Sequence, residues 1–156
     1  MVDDHKRKCI DVFNNVAEQL AKMMGKKRFE ALFTKLKKKS EEMKDQKRLS
    51  ECLTSLGIRE VFNLFFSTCP QHEETAEKAK RYLLDSQRIQ TALEINTGNS
   101  RAQCLAKLGR IWAKENKFRE AREIIQEAIG TRKKHGEQDS VMLGATYNDM
   151  AGELSA

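Results

Sequence analysis

The chain has 156 residues, of which 33% are charged, 39% are hydrophobic and only one is proline. This length predicts one domain or one run of small repeats, and the scarcity of proline favours long helices over a strand-rich domain. No apolar run is long enough for a transmembrane helix, and the start of the sequence has no apolar segment typical of a secretory signal. These features predict an all-α, cytoplasmic protein without a transmembrane segment.

The net charge of +6 is concentrated in the first third of the sequence, mostly between Lys26 and Arg48. One interpretation is a patch for RNA, an anionic surface or an acidic partner. The other is the polar face of an amphipathic helix, because Phe29 and Phe33 follow helical spacing in the same run. We favour the second interpretation and keep the first as an alternative. The basic patch comprises Lys26, Lys27, Arg28, Lys35, Lys37, Lys38 and Lys39.

Apolar residues at helical spacing predict seven helices separated by short polar or glycine-containing breaks. Because these helices are joined by short turns and no strand is predicted, we expect antiparallel helix pairs. The predicted helices cover about 4–24, 27–46, 48–66, 72–94, 101–115, 118–134 and 139–154.

Four of these helices share a short pattern, in which two apolar residues one turn apart precede a small residue. The small residues are Ala17, Gly57, Gly109 and Ala151. A small residue at a fixed place lets the two helices of a pair approach closely, and the apolar residues then fill the seam. The pattern therefore predicts a repeated helix pair.

The clearest copy of this pair lies in residues 102–136. It contains Leu105-x2-Leu108-Gly109-x2-Trp112, followed by Ala121-x3-Ile125-x2-Ala128. This copy resembles the tetratricopeptide repeat in the 42-residue form of kinesin light chain, and Gly109 and Ala151 are 42 residues apart. Residues 10–37 and 147–151 resemble the repeat too. Residues 49–95 fit it only with about ten residues inserted between the two helices.

The resemblance implies a right-handed superhelical solenoid of antiparallel helix pairs in a single domain, residues 1–156. Repeat 1 would cover 4–46, a degenerate repeat 2 would cover 48–95, repeat 3 would cover 101–136, and 139–156 would form a terminal or capping helix. Helix 139–154 has no following helix to cover its apolar face. The chain is then a fragment of a longer array, ends in a capping helix, or self-associates through this face.

A solenoid of this family implies a non-catalytic scaffold or adaptor that binds a peptide or a helix in its concave groove, as part of a signalling or transport protein. In family members an asparagine at the place of Asn14 and Asn148 binds the backbone of the peptide. Arg110, beside Lys107, could pair with an acidic side chain of the partner. The groove residues implied by the resemblance are Asn14, Glu18, Thr54, Lys107, Arg110 and Asn148.

No residue pattern indicates catalysis, a cofactor or a metal site. The four cysteines have no paired spacing, and Cys69 with His72 is only half of the ligand set that zinc needs. A glycine-rich phosphate loop is also absent from the sequence. We therefore predict a non-enzyme, with RNA or anionic-surface binding through the basic helix 26–48 and homo-oligomerisation as alternative functions.

Overall fold

The computed structural model describes residues 2–66, 72–96 and 98–134, which form seven α-helices and no strand. The predicted all-α class is thereby confirmed for these ranges. The predicted helix 139–154 and Asn148 lie outside the described residues. None of the described helices is both long enough and apolar enough to cross a membrane. The helices are α1 Val2–Asn15, α2 Ala17–Met23, α3 Lys26–Glu42, α4 Gln46–Phe66, α5 His72–Ala92, α6 Asn99–Lys114 and α7 Phe118–Lys134.

The first predicted helix, over 4–24, is interrupted at Val16. This residue adopts φ −112° and ψ 16° and separates α1 from α2. Two asparagines precede this β-branched valine. Both residue types have low helix propensity, because valine loses side-chain freedom in a helix and asparagine competes for backbone hydrogen bonds. The prediction of one continuous helix is therefore wrong.

The chain divides into two compact units, residues 1–89 and 90–156. In the first unit α4 is the central helix, and every residue from 52 to 61 is buried. A helix buried on all sides shows little hydrophobic asymmetry, so its polar side chains must find partners within the protein. The core around it contains Ile10, Ala17, Ala21, Phe29, Phe33, Leu36, Cys52, Leu56 and Ile58.

Helices α4 and α5 form an antiparallel hairpin in the first unit. The hydroxyl of Ser86 near the end of α5 donates to the carbonyl of Ser50 at the start of α4, at 2.7 Å. Further along α4, the side chain of Leu83 packs directly on Gly57, where a Cβ atom would lie 2.5 Å from Cδ2 of Leu83. The small residue at position 57 therefore sets the distance between the two helices.

Helices α6 and α7 form the same kind of hairpin in the second unit. Arg132 near the end of α7 donates to Oδ1 of Asn99 at the start of α6, at 3.3 Å. Gly109 is covered by Ile125, whose Cγ1 lies even closer to the position that a Cβ atom would take. The close approach that the sequence pattern predicts at the small residues is confirmed at both glycines.

Three helices end without a glycine, through residues in the left-handed conformation. Lys44, Glu94 and Asn116 have φ values of 56°, 58° and 64° and follow α3, α5 and α6. After α3 the amide of Asp45 donates to the carbonyl of Ser40 at 2.9 Å, which satisfies an otherwise unpaired carbonyl of the last turn. This Schellman-type ending reverses the chain in few residues.

An ion-pair network joins α1 to the start of α4. The guanidinium of Arg48 donates to both carboxylate oxygens of Asp11, at 2.9 and 2.7 Å. It also binds Asp45 at 2.9 Å, and Asp45 caps α4 by accepting the backbone N–H of Arg48. Arg7 of α1 binds the same carboxylate at 3.3 Å. Burial alone would raise the pKa of Asp45, but these hydrogen bonds and charges hold it below its ordinary value.

Replacing Asp45 with asparagine is expected to lower the free energy of unfolding by about 1 kcal/mol at neutral pH, because the cap oxygen remains while the ion pairs are lost. A lowered carboxyl pKa stabilises the folded state above the unfolded pKa, and this contribution disappears as the pH falls through the folded value. Urea unfolding at pH 7 and at acidic pH should therefore show a difference between variant and wild type only at pH 7. Asp85→Asn, which breaks an exposed pair, is the control and should be nearly neutral. An equal loss in both variants would contradict the role of the network.

Candidate functional site

Two of the predicted groove residues, Asn14 and Thr54, bind other helices of the first unit. The amide oxygen of Asn14 accepts the hydroxyl of Ser55 at 2.7 Å, and its nitrogen lies 3.5 Å from the sulfur of Cys52. Thr54 is 2% exposed and shares a hydrogen bond of 2.7 Å with Ser86. The structure therefore places both side chains in helix-to-helix contacts rather than on an open surface of that unit.

The other predicted groove residues are separated along the chain. Glu18 is half-buried in α2 of the first unit, whereas Lys107 and Arg110 belong to α6 of the second. Lys107 is buried, Arg110 is half-buried, and all three side chains interact with other residues. Asn148 lies outside the described residues.

The basic patch lies on the outer face of α3. Phe29 and Phe33 are fully buried, which confirms that this run is the polar face of an amphipathic helix. Lys37 and Lys39 are half-buried, and Lys37 lies 3.7 Å from a carboxylate oxygen of Glu41. The exposed members of the patch are Lys26, Lys27, Arg28, Lys35 and Lys38.

A groove of about 420 Å³ lies over α4 between α3 and α5, and we call it the α3–α5 groove. Leu49 and Leu53, one turn apart on α4, contribute apolar lining, and Tyr82 and Ile89 of α5 add to it. The volume falls within the range of ligand-binding pockets. The groove is lined by Lys37, Glu41, Leu49, Leu53, Arg81, Tyr82, Asp85, Arg88 and Ile89.

The rim of the α3–α5 groove carries three basic and two acidic side chains. Arg88 lies 3.4 Å from Asp85, and Lys37 pairs with Glu41 along α3. Arg81 is exposed and makes no hydrogen bond or ion pair with any residue that the structure describes. Exposed pairs of this kind contribute little to stability, so the rim charges remain available to a partner.

The sequence did not single out this groove. Its α5 residues follow helical spacing, with Arg81, Asp85 and Arg88 on one face and Tyr82 and Ile89 beside them. The sequence contains this spacing, but the same spacing is equally typical of a helix face that is exposed to solvent. Only the packing of α3 and α5 on α4 creates a concave surface from it.

A carboxyl pair, buried at Glu60 and half-buried at Glu30, lies between the same three helices. Glu60 of α4 is 1% exposed, and Nζ of Lys78 on α5 lies 3.5 Å from Glu60 and 3.5 Å from Glu30 of α3. Burial and a hydrogen bond that the protonated Glu60 donates to Glu30 raise the pKa of Glu60 to about 7. Two carboxyl groups in contact cannot both ionise freely, so this pair holds a proton near neutral pH.

The thiols are consistent with structural roles. Cys52 and Cys104 are buried, and burial raises the pKa of Cys52 to about 11, which suppresses the reactive thiolate. Cys9 is half-buried, with its sulfur 3.7 Å from Nε2 of His5. Cys69 lies outside the described residues. Within the described ranges no group of three or more His, Cys, Asp or Glu side chains is placed to hold a metal ion.

Comparison with known proteins adds no functional assignment to this geometry. No protein-family model, no curated protein and no solved structure matches this chain.

Proposed function

We propose that this protein is a non-catalytic scaffold that binds another protein, and that its helix pairs belong to a solenoid of the tetratricopeptide type. The observation that carries the binding function is the α3–α5 groove, an apolar surface with a charged rim. Protein interfaces commonly combine an apolar centre with a polar rim, and exposed tyrosine and arginine side chains are frequent contributors to them.

The repeated hairpin contact supports the architecture. Gly57 packs on Leu83 in one hairpin, and Gly109 packs on Ile125 in the other. The two glycines are 52 residues apart, whereas their partners are 42 residues apart, mainly because Gly57 and Leu83 lie further from the ends of their helices at the connection than Gly109 and Ile125 do. Such pairs stack into extended arrays whose surfaces bind proteins, in a signalling or transport protein of the cytoplasm.

The binding surface proposed here differs from the row of first-helix residues that the family resemblance implies. The α3–α5 groove lies between the second helix of one pair and the second helix of the next, over α4. We place the binding site there because Asn14 and Thr54 are engaged in helix packing.

RNA or an anionic surface is the second candidate partner. The supporting observation is the exposure of Lys27, Arg28, Lys35 and Lys38 on one helix. Charge-driven binding to a phosphate backbone weakens steeply as salt is added. Self-association through helix 139–154 remains a prediction.

Capture of partners from a cell extract at low and high salt tests the proposed function. The double variant Arg81→Glu/Arg88→Glu is expected to lose protein partners that the wild type retains at high salt. Both residues are exposed, so helix content should not change, and circular dichroism checks this.

The matched control reverses two charges of the same sign outside the groove, in Lys35→Glu/Lys38→Glu. It should retain the partners if the groove binds them. Retention of the same partners by both double variants would contradict the groove as the binding site. Salt-sensitive capture of RNA that only the control loses would instead support the second candidate.

A further inference from the structure

The geometry points to an acidic amphipathic helix of a partner protein as the occupant of the α3–α5 groove. This inference rests on the proposed function and adds the charge and the secondary structure of the bound segment. It concerns the groove over α4 and not the basic outer face of α3.

The shape of the groove favours a helix. Its α5 wall runs from Arg81 to Ile89, which corresponds to about 12 Å, or two helical turns. Amphipathic helices bind in such grooves through apolar side chains spaced three and four residues apart. Leu49, Leu53 and Tyr82 provide the apolar surface that these side chains would contact. An extended peptide that binds by strand addition needs the edge of a sheet, and no strand exists among the residues that the structure describes.

The charge of the groove favours acidic flanks on that helix. Lys37 and Arg88 already face Glu41 and Asp85, so Arg81 is the charge in excess. The surrounding field has the same sign, because residues 1–89 contain 19 lysines and arginines and 14 aspartates and glutamates. A carboxylate of the partner could bind the guanidinium of Arg81 in the bidentate geometry that arginine favours. A basic helix would instead bring like charges together, which opposes binding.

Three synthetic peptides of about 18 residues test this inference, since shorter helices are marginal in water. They share one leucine stripe with spacings of three and four residues and differ only in their flanking residues, which are glutamate, lysine or glutamine. A fourth peptide has the acidic composition with the leucine stripe scrambled. Fluorescence anisotropy of the labelled peptides measures binding to the full chain.

The acidic helix is expected to bind at least about tenfold more tightly than the basic one. Arg81→Glu/Arg88→Glu should reverse this preference, because the rim then becomes acidic. Lys35→Glu/Lys38→Glu should leave the preference unchanged, because these lysines do not line the groove. The scrambled acidic peptide should bind weakly, since it cannot place its leucines on one face.

Four results would overturn the inference. Two concern the peptides: a preference for the basic or neutral helix, and equally tight binding of the scrambled peptide. The other two are loss of the acidic preference only in Lys35→Glu/Lys38→Glu, and no binding of the acidic helix up to roughly 1 mM. If partner capture from the extract still depends on Arg81 and Arg88, the proposed function stands and only the identity of the bound segment is wrong. If that dependence is also absent, both proposals fail.

Discussion

Replacing Gly109 with valine is expected to lower the free energy of unfolding by about 2–3 kcal/mol. A Cβ atom at this position meets Cγ1 and Cδ1 of Ile125 on one side and Cγ2 of Ile124 on another. The side chains cannot all move aside, so α6 and α7 must separate or Ile125 must leave its preferred rotamer. Urea unfolding followed by circular dichroism measures the loss.

Gly130→Ala is the matched control for this prediction. Gly130 lies within α7 and has open space around the position of a Cβ atom. Alanine is a better helix former than glycine, so this variant should gain about 0.5–1 kcal/mol. In a double-mutant cycle, Ile125→Ala should partly rescue Gly109→Ala, since it removes the atoms in conflict. If Gly109→Val is as stable as the wild type, the close contact of α6 with α7 is incorrect.

Replacing Glu60 with glutamine is expected to raise the free energy of unfolding at pH 8 by about 1–2 kcal/mol and to raise it much less at pH 5. The pKa of Glu60 is raised from an ordinary value of 4.5 to about 7 in the folded state. The folded state therefore binds more protons than the unfolded state between these values, and wild-type stability falls as the pH rises through that window. Glutamine is neutral at every pH and can still hydrogen-bond Glu30.

Urea unfolding at several values between pH 5 and pH 8 measures this effect. The charges that surround Glu60 are Lys78 of α5, Glu30 and Lys26 of α3, and its neighbour Arg59. Glu77→Gln is the control, because Glu77 is exposed and its ion pair among the described residues is with Lys80 along α5. It should reproduce the wild-type pH dependence. A Glu60→Gln variant that shows the same pH dependence as the wild type would contradict a protonated carboxyl pair.

The helices themselves could be predicted from the sequence because apolar residues recur at helical spacing. The six predicted helices that fall within the described residues each correspond to α-helix, although the first is divided at Val16. The helix ends were harder to predict, because Lys44, Glu94 and Asn116 occupy left-handed positions where glycine is the usual signal. Lys44 and Glu94 give no indication of this conformation in the sequence, since the hydrogen bonds of the helix ending stabilise an otherwise unfavourable conformation.

The candidate site could be predicted only in part. The family resemblance implies that Asn14 and Thr54 line a groove, but an asparagine or threonine on a helix can bind a ligand or a neighbouring helix. In the structure both side chains bind a neighbouring helix. Glu60 is a comparable case, because an isolated glutamate in a helix gives no indication that Glu30 and Lys78 will meet it.

Composition and the helical spacing of apolar and small residues by themselves determined the all-α class, the amphipathic basic helix and the small residues at the helix seams, since each depends on residues within a few turns of one another. The tertiary structure alone decided which polar residues are buried, where the α3–α5 groove opens and which carboxyl groups share a proton. These features depend on contacts between helices that lie up to 48 residues apart, such as α3 and α5 at Glu30 and Lys78. Helical periodicity specifies which face of each helix is apolar, and only tertiary packing specifies which residues that face contacts.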